Sequence, residues 1–231
     1  MFDLSPAEWT AILLSLRVAV IATLVATPFG IALAWLLARH DFWGKSLLDA
    51  VVHLPLVLPP VVTGYLLLLT FGRRGLVGAW LADHLGIVFA FRWTGAALAC
   101  GVMSFPLLVR PIRLSIEAID RRLEQAASTL GAAPWRVFAT VTLPLALPGI
   151  LAGMVLGFAK AIGEFGATIT FVSNIPGETQ TISSAIYSLI QTPDGDTAAA
   201  RLVVISIVLA TGALVASEWF ARRATQRLHG N

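Results

Sequence analysis

The chain has 231 residues, 57% of them apolar and 13% charged, with a net charge of +3 and a mean hydropathy of +0.82. A water-soluble domain carries roughly 25% charged residues, so about half that share excludes an ordinary soluble enzyme and points to a protein dissolved mostly in lipid. A single cysteine, Cys100, excludes an intrachain disulfide and a cysteine metal cluster, and His40, His53, His84 and His229 are too dispersed to read as metal ligands.

Uncharged runs cover 18–38, 50–72, 93–109, 137–159 and 202–217. A helix crosses the hydrocarbon in about 20 residues, whereas barrel strands alternate over about ten. These runs are continuous, so the sequence predicts an all-α polytopic membrane protein with five spans, near 9–38, 48–72, 94–112, 146–171 and 200–220. Asp3 and Glu8 stand where a secretory signal has positive charge, so the first span is expected to be retained. Arg17 falls near the middle of that span and is expected to face a protein partner or water. The second span holds Pro55, Pro59 and Pro60 within His53-Leu-Pro-Leu-Val-Leu-Pro-Pro-Val-Val-Thr-Gly-Tyr65. Proline removes a backbone donor and clashes with the preceding turn, so this helix is kinked or broken. It reads equally as a discontinuous helix lining a pathway and as a bent packing helix. The connection 73–93 contains an apolar stretch, 85–91, too short to span, which should lie at the interface or pack against neighbours.

Orientation follows from the basic residues between spans. One side receives Arg39, Lys45, Arg110, Arg113, Arg121, Arg122, Arg136, Arg222, Arg223 and Arg227, and the other Arg73, Arg74, Arg92 and Arg201. The first side is expected to be cytoplasmic, which places the N-terminus outside and the C-terminus inside.

Between the third and fourth spans, residues 113–144 form an amphipathic loop. Leu123, Ala126, Ala127 and Leu130 recur at helical spacing, Gly131 supplies a left-handed helix end, and Pro134 suits the first turn of a second helix. That helix runs to Leu143, where Pro144 is expected to interrupt it. Two short helices joined by a tight turn are either a docking knob or an inert connector. The segment Glu124-Gln-Ala-Ala-Ser-Thr-Leu-Gly131 followed by Val141-Thr-Leu-Pro144 resembles the EAA loop of ABC-importer permeases. Gln125 occupies the family's Glu position, Ala126 and Ala127 its alanines and Val141 its Ile, while Gly131, Leu143 and Pro144 match outright. Glu124 stands one residue early, which leaves open which of the two side chains makes the usual contact.

The resemblance implies a type I importer permease fold over one permease domain, 1–231, whose loop docks on a separate ATP-hydrolysing subunit. Gly44-Lys45-Ser46 is only a decoy for a phosphate loop, because Arg39 stands where the first glycine is required and no strand precedes it. The chain is therefore expected to be a pore rather than an enzyme. It should bind no cofactor of its own, with ATP and Mg on the partner ATPase.

Further stretches resemble the molybdate permeases of that family: the proline-rich segment above, Gly163-Glu-Phe-Gly-Ala-Thr-Ile-Thr-Phe-Val-Ser-Asn-Ile-Pro-Gly-Glu-Thr179, and Ser104-Phe-Pro-Leu-Leu-Val-Arg110. Sulfate and thiosulfate permeases share the core at 164–166, so a sulfate, thiosulfate or tungstate importer is the alternative. A passive channel and an intramembrane enzyme are the readings outside this class, and the second lacks a convincing nucleophile–base set. A tetrahedral dianion needs hydroxyls, amide donors and helix N-termini along its path. Thr63, Thr168, Thr170, Ser173 and Asn174 fit that chemistry, and fit packing between helices as well. Lys160 and Glu164, four apart, form either a gate or an internal ion pair. Five helices do not easily enclose an anion path, so the expected assembly is a homodimer in lipid with two ATPase subunits and a molybdate-binding protein. No nucleic-acid partner is expected.

Overall fold

The computed structural model describes residues 4–229, with side chains described as far as Ala216; among these residues the regular structure is entirely helical. The first helix, α1 (Pro6–Arg39), opens with a capping box. Glu8 N donates to Ser5 Oγ at 3.2 Å and Ser5 N to Glu8 Oε2 at 2.7 Å, which satisfies two otherwise orphaned donors. Its 34 residues extend about 51 Å, well beyond the roughly 30 Å of hydrocarbon. The surplus lies at the N-terminal end, where Glu8 accepts two hydrogen bonds from Arg201, at 3.1 and 3.2 Å, and Ser15 Oγ accepts one from Ile182 N at 2.7 Å. The uncharged run 18–38, bracketed by Arg17 and Arg39, is by itself long enough to cross the hydrocarbon. Arg17 directly precedes that run, and its guanidinium lies 3.7 Å over the Trp93 ring, so it faces protein, as one of the two expectations for it had it.

The second expected span is broken. Helices α2 (Lys45–Val57) and α3 (Pro60–Phe71) meet at 116°. Leu58 N still closes the end of α2 on Leu54 O at 3.0 Å, but Pro59 and Pro60 have no N–H to continue it, and Pro60 starts a new helix in a new direction. Among the described residues four helices are long and apolar enough to cross a membrane, or five if this bent pair is one span. Helix α4 (Leu76–Leu85) ends at Gly86, in the left-handed region at φ +66°. The chain then packs inward: Phe89 meets the Phe71 ring edge-on, and Ala90 is buried.

The centre of the molecule is α5 (Trp93–Glu117), which continues through Pro106 and Pro111. Ala96, Ala99, Cys100, Leu108, Val109 and Ile112 are fully buried against α1 and the helices that follow. Next come α6 (Arg121–Thr129), α7 (Pro134–Val137), a five-residue π-turn at Phe138–Thr142, α8 (Leu143–Ile162), α9 (Gly166–Val172), α10 (Ile182–Leu189) and α11 (Asp196–His229).

Two expectations are corrected here. Pro144 does not interrupt the helix. The preceding turn widens, with Leu143 N bonding to Phe138 O, five residues back, and the wider turn carries the chain from α7 into α8 without a break. The fourth span, in turn, ends at Ile162 instead of running to 171, because the chain leaves helical geometry at Gly163–Phe165 before α9 begins. The side chains of Arg222, Arg223 and Arg227, which entered the orientation argument, lie outside the described residues.

Candidate functional site

Two regions concentrate unusual structure. The first is the helical loop between α5 and α8. Asp120 caps α6 by accepting from Arg122 N at 2.9 Å. The helix stops where Gly131 adopts φ +85°, with Gly131 N on Ser128 O at 3.0 Å and Ala132 N on Ala127 O at 3.2 Å; this left-handed end is the one that the sequence predicts. Pro134 opens α7. The apolar stripe faces outward: Leu130 is 89% exposed, Trp135 67% and Leu123 50%, with Ala126 exposed and Ala127 half-buried. Leu123, Leu130 and Trp135 thus leave apolar surface uncovered at the tip of the loop.

Beneath that patch the loop is fastened to the membrane helices. The Glu124 carboxylate accepts from Arg39 Nε, at 3.2 Å on Oε1 and 3.1 Å on Oε2, and from Thr142 Oγ1 at 2.6 Å. Arg39 also donates to Ile119 O at 3.3 Å. Glu124, rather than Gln125, therefore makes the intrachain contacts, while Gln125 stays exposed beside a cavity of about 500 Å³ walled by Trp35, His40 and Phe138. Val141 and Leu143 are half-buried at the π-turn and the start of α8, and Pro144 is exposed. Arg39 and Thr142 were missed by sequence reasoning. Their signals are faint: Arg39 ends an apolar run, and Thr142 stands between Val141 and Leu143.

The second region is where the two helix breaks meet. The α3 start at Pro60 lies against the α9 start at Gly166, where an added Cβ would come within 2.7 Å of Pro60 Cβ. One turn on, a Cβ at Gly64 would meet Ala167 O at 2.5 Å. Only glycine lets these backbones approach so closely. Glu164, 2% exposed, bridges the break in the other span: it takes the Lys160 ammonium at 2.6 Å and accepts from Ala167 N at 3.0 Å. The i, i+4 pairing legible in the sequence is thus present, and the same carboxylate also ties the end of α8 to the first turn of α9.

The candidate pathway residues divide. Thr168 Oγ1 donates to Phe165 O at 2.9 Å and Thr170 Oγ1 to Gly166 O at 2.8 Å, both within their own helical turn. Asn174 Nδ2 donates to Ser188 Oγ at 2.6 Å, and Ser173 is exposed at φ +66°. Thr63, 5% exposed on α3, has a buried hydroxyl with no hydrogen-bond partner among the described residues. None of these five stands with Lys160 and Glu164 in one described cavity; what the structure brings together is Lys160, Glu164 and the start of α9. Gly64 and Gly166 were missed, because a glycine in an apolar run does not announce which backbone it will approach.

Comparison with known proteins gives a consistent picture. Residues 26–226 match the family described as binding-protein-dependent transport system inner membrane component. The chain is 64% identical over 224 residues to the molybdenum transport system permease protein ModB of Escherichia coli (strain K12), covering 97% of this chain and 98% of that one. It is 36% identical to the sulfate transport system permease protein CysT of the same organism, over 91% of this chain and 75% of the relative. Its fold resembles that in the crystal structure of a bacterial ABC transporter involved in import of the acidic polysaccharide alginate, with a TM-score of 0.73 at 21% identity, covering 95% of this chain and 80% of the other.

Proposed function

This chain belongs to the family of binding-protein-dependent transport system inner membrane components, and from that premise we propose that its substrate is molybdate. It is a permease subunit of an ABC importer in the inner membrane, with a type I importer permease fold. The observation that carries the substrate is the near full-length 64% identity to a molybdenum permease, against the weaker match to a sulfate permease.

ATP is hydrolysed by a separate subunit that binds the patch formed by Leu123, Ala126, Leu130 and Trp135. Two copies of the chain surround the path, each with one ATPase, and a molybdate-binding protein delivers the anion on the opposite side. The N-terminus faces outward and the loop 113–144 inward. Movement of the ATPases reaches the spans through Glu124, because that carboxylate holds α6 to both Arg39 at the end of α1 and Thr142 at the entry to α8. Helix α8 then leads to the break at Gly163–Phe165, where the Lys160–Glu164 pair and the α3–α9 contact form the element that changes shape. Lys160, whose side chain keeps 29% exposure, is the cation of that pair and can offer its charge to a dianion only when the contact with Glu164 opens.

The test is ATP hydrolysis by the reconstituted complex with its binding protein loaded in turn with molybdate, tungstate and sulfate. Molybdate-loaded protein is expected to stimulate hydrolysis most strongly and to drive uptake. Stimulation by sulfate without stimulation by molybdate would overturn the substrate, and transport that survives without nucleotide would overturn the ATP-driven class.

A further inference from the structure

A further feature lies away from both regions, on the outer face of α1, α2 and α5. These three helices enclose an open groove of about 610 Å³ whose lining, apart from Thr94, is apolar. Its two long walls are helical ladders of i+4 spacing: Ile21, Val25 and Phe29 on α1, and Trp93, Ala97 and Gly101 on α5. Val25 and Phe29 are 59% and 65% exposed, so the groove opens to its surroundings instead of being sealed in the core.

Its dimensions select an occupant. From Trp93 to Phe105 the groove follows α5 for about 18 Å, close to the roughly 15 Å of one leaflet's hydrocarbon. The groove, about 610 Å³ and open along one side, is long enough to seat an extended hydrocarbon chain along α5.

One end of the groove is charged. Arg17 stands one turn beyond Ile21 on the same face of α1, and its guanidinium lies flat over the Trp93 ring at 3.7 Å. Trp93 itself lines the groove. The stacking fixes the plane of the guanidinium and leaves its edge donors free. Among the described residues Arg17 has no carboxylate within ion-pair distance and no hydrogen bond. Twenty-two residues of helix separate it from Arg39, about 33 Å, which puts the two arginines at opposite faces of the hydrocarbon layer. Arg17 is therefore at headgroup depth, at the mouth of an apolar groove one leaflet long.

We propose that this groove is a binding site for one phospholipid, with an acyl chain lying between α1, α2 and α5 and the phosphate held by Arg17. The partner is defined by both ends of the site: the groove calls for a hydrocarbon chain, and the guanidinium for an oxyanion at the water boundary.

The experiment is native mass spectrometry of the delipidated importer complex, titrated with phosphatidylglycerol, with diacylglycerol of the same chains, and with inorganic phosphate. One retained phosphatidylglycerol per copy of this chain is expected, with diacylglycerol binding about tenfold more weakly and inorganic phosphate not retained. Arg17→Gln is expected to lower phosphatidylglycerol affinity about tenfold and leave diacylglycerol binding unchanged. Gly101→Leu, which fills the groove where only Ala22 lies within 4 Å of an added Cβ, is expected to abolish both, and its thermal unfolding is recorded to establish that it folds. The proposal is overturned if Arg17→Gln binds phosphatidylglycerol as the parent chain does, or if a photo-crosslinker at Val25 captures a helix of a second copy instead of lipid. Because none of these readings involves the transported anion, they stand or fall separately from the substrate.

Discussion

Glu164 is the residue on which the most structure depends. Its side chain is 1% exposed, it carries a charge, and its two partners belong to different helices. Removing one member of a buried pair is costlier than never having built it, because the remaining charge is left without compensation. Glu164→Ala is therefore expected to destabilise the protein by about 3 kcal/mol and to lower its thermal midpoint in detergent. Glu164→Gln keeps an acceptor for Ala167 N and should lose less. Equal melting of both variants and the parent would show that the carboxylate bridges nothing of consequence. The pairing with Lys160 was legible from four-residue spacing. The bond to Ala167 N was not, because it exists only where the helix breaks, and no periodicity marks a break at Gly163.

At the level of the helical element, the loop 113–144 shows how a short sequence dictates a local shape. Asp120 caps, Gly131 turns and Pro134 restarts, each through its own backbone chemistry. An added Cβ at Gly131 meets no atom within 4 Å, so the objection to any other residue there is conformational alone. A left-handed position costs a β-branched residue about 1–2 kcal/mol. Gly131→Val is thus expected to weaken association with the ATPase about tenfold and to reduce uptake, with the chain still folding normally. Co-purification of the ATPase at several concentrations measures it, and unchanged association together with unchanged uptake would remove the loop from the docking surface. The fate of Pro144 was not readable in advance. A proline can end a helix or be absorbed by a wider turn, and here the contact of Thr142 with Glu124 accompanies the second outcome.

For the molecule as a whole, the distribution of Lys and Arg predicts that the exposed stripe of α6 lies in the cytoplasm and Arg74 outside. Single cysteines test this directly in a Cys100→Ser background, since Cys100 is fully buried. With a membrane-impermeant maleimide on intact cells, Arg74→Cys is expected to label and Leu130→Cys to label only after the cytoplasmic face is opened. The opposite pattern would invert the orientation and remove the loop from any cytoplasmic ATPase.

Apolar run lengths settle the membrane class from the chain alone, the proline cluster a second span that is kinked or broken, and the turn at Gly131 the local shape of the loop 113–144. Each depends on interactions within a few residues, where backbone chemistry is decisive. The meeting of the two breaks through Gly64 and Gly166, the fastening of Glu124 to Arg39 and Thr142, and the place of Arg17 at the mouth of a groove were settled by folding. They join residues about 20 to 100 positions apart, and only the packing of complete helices decides which of those come within reach.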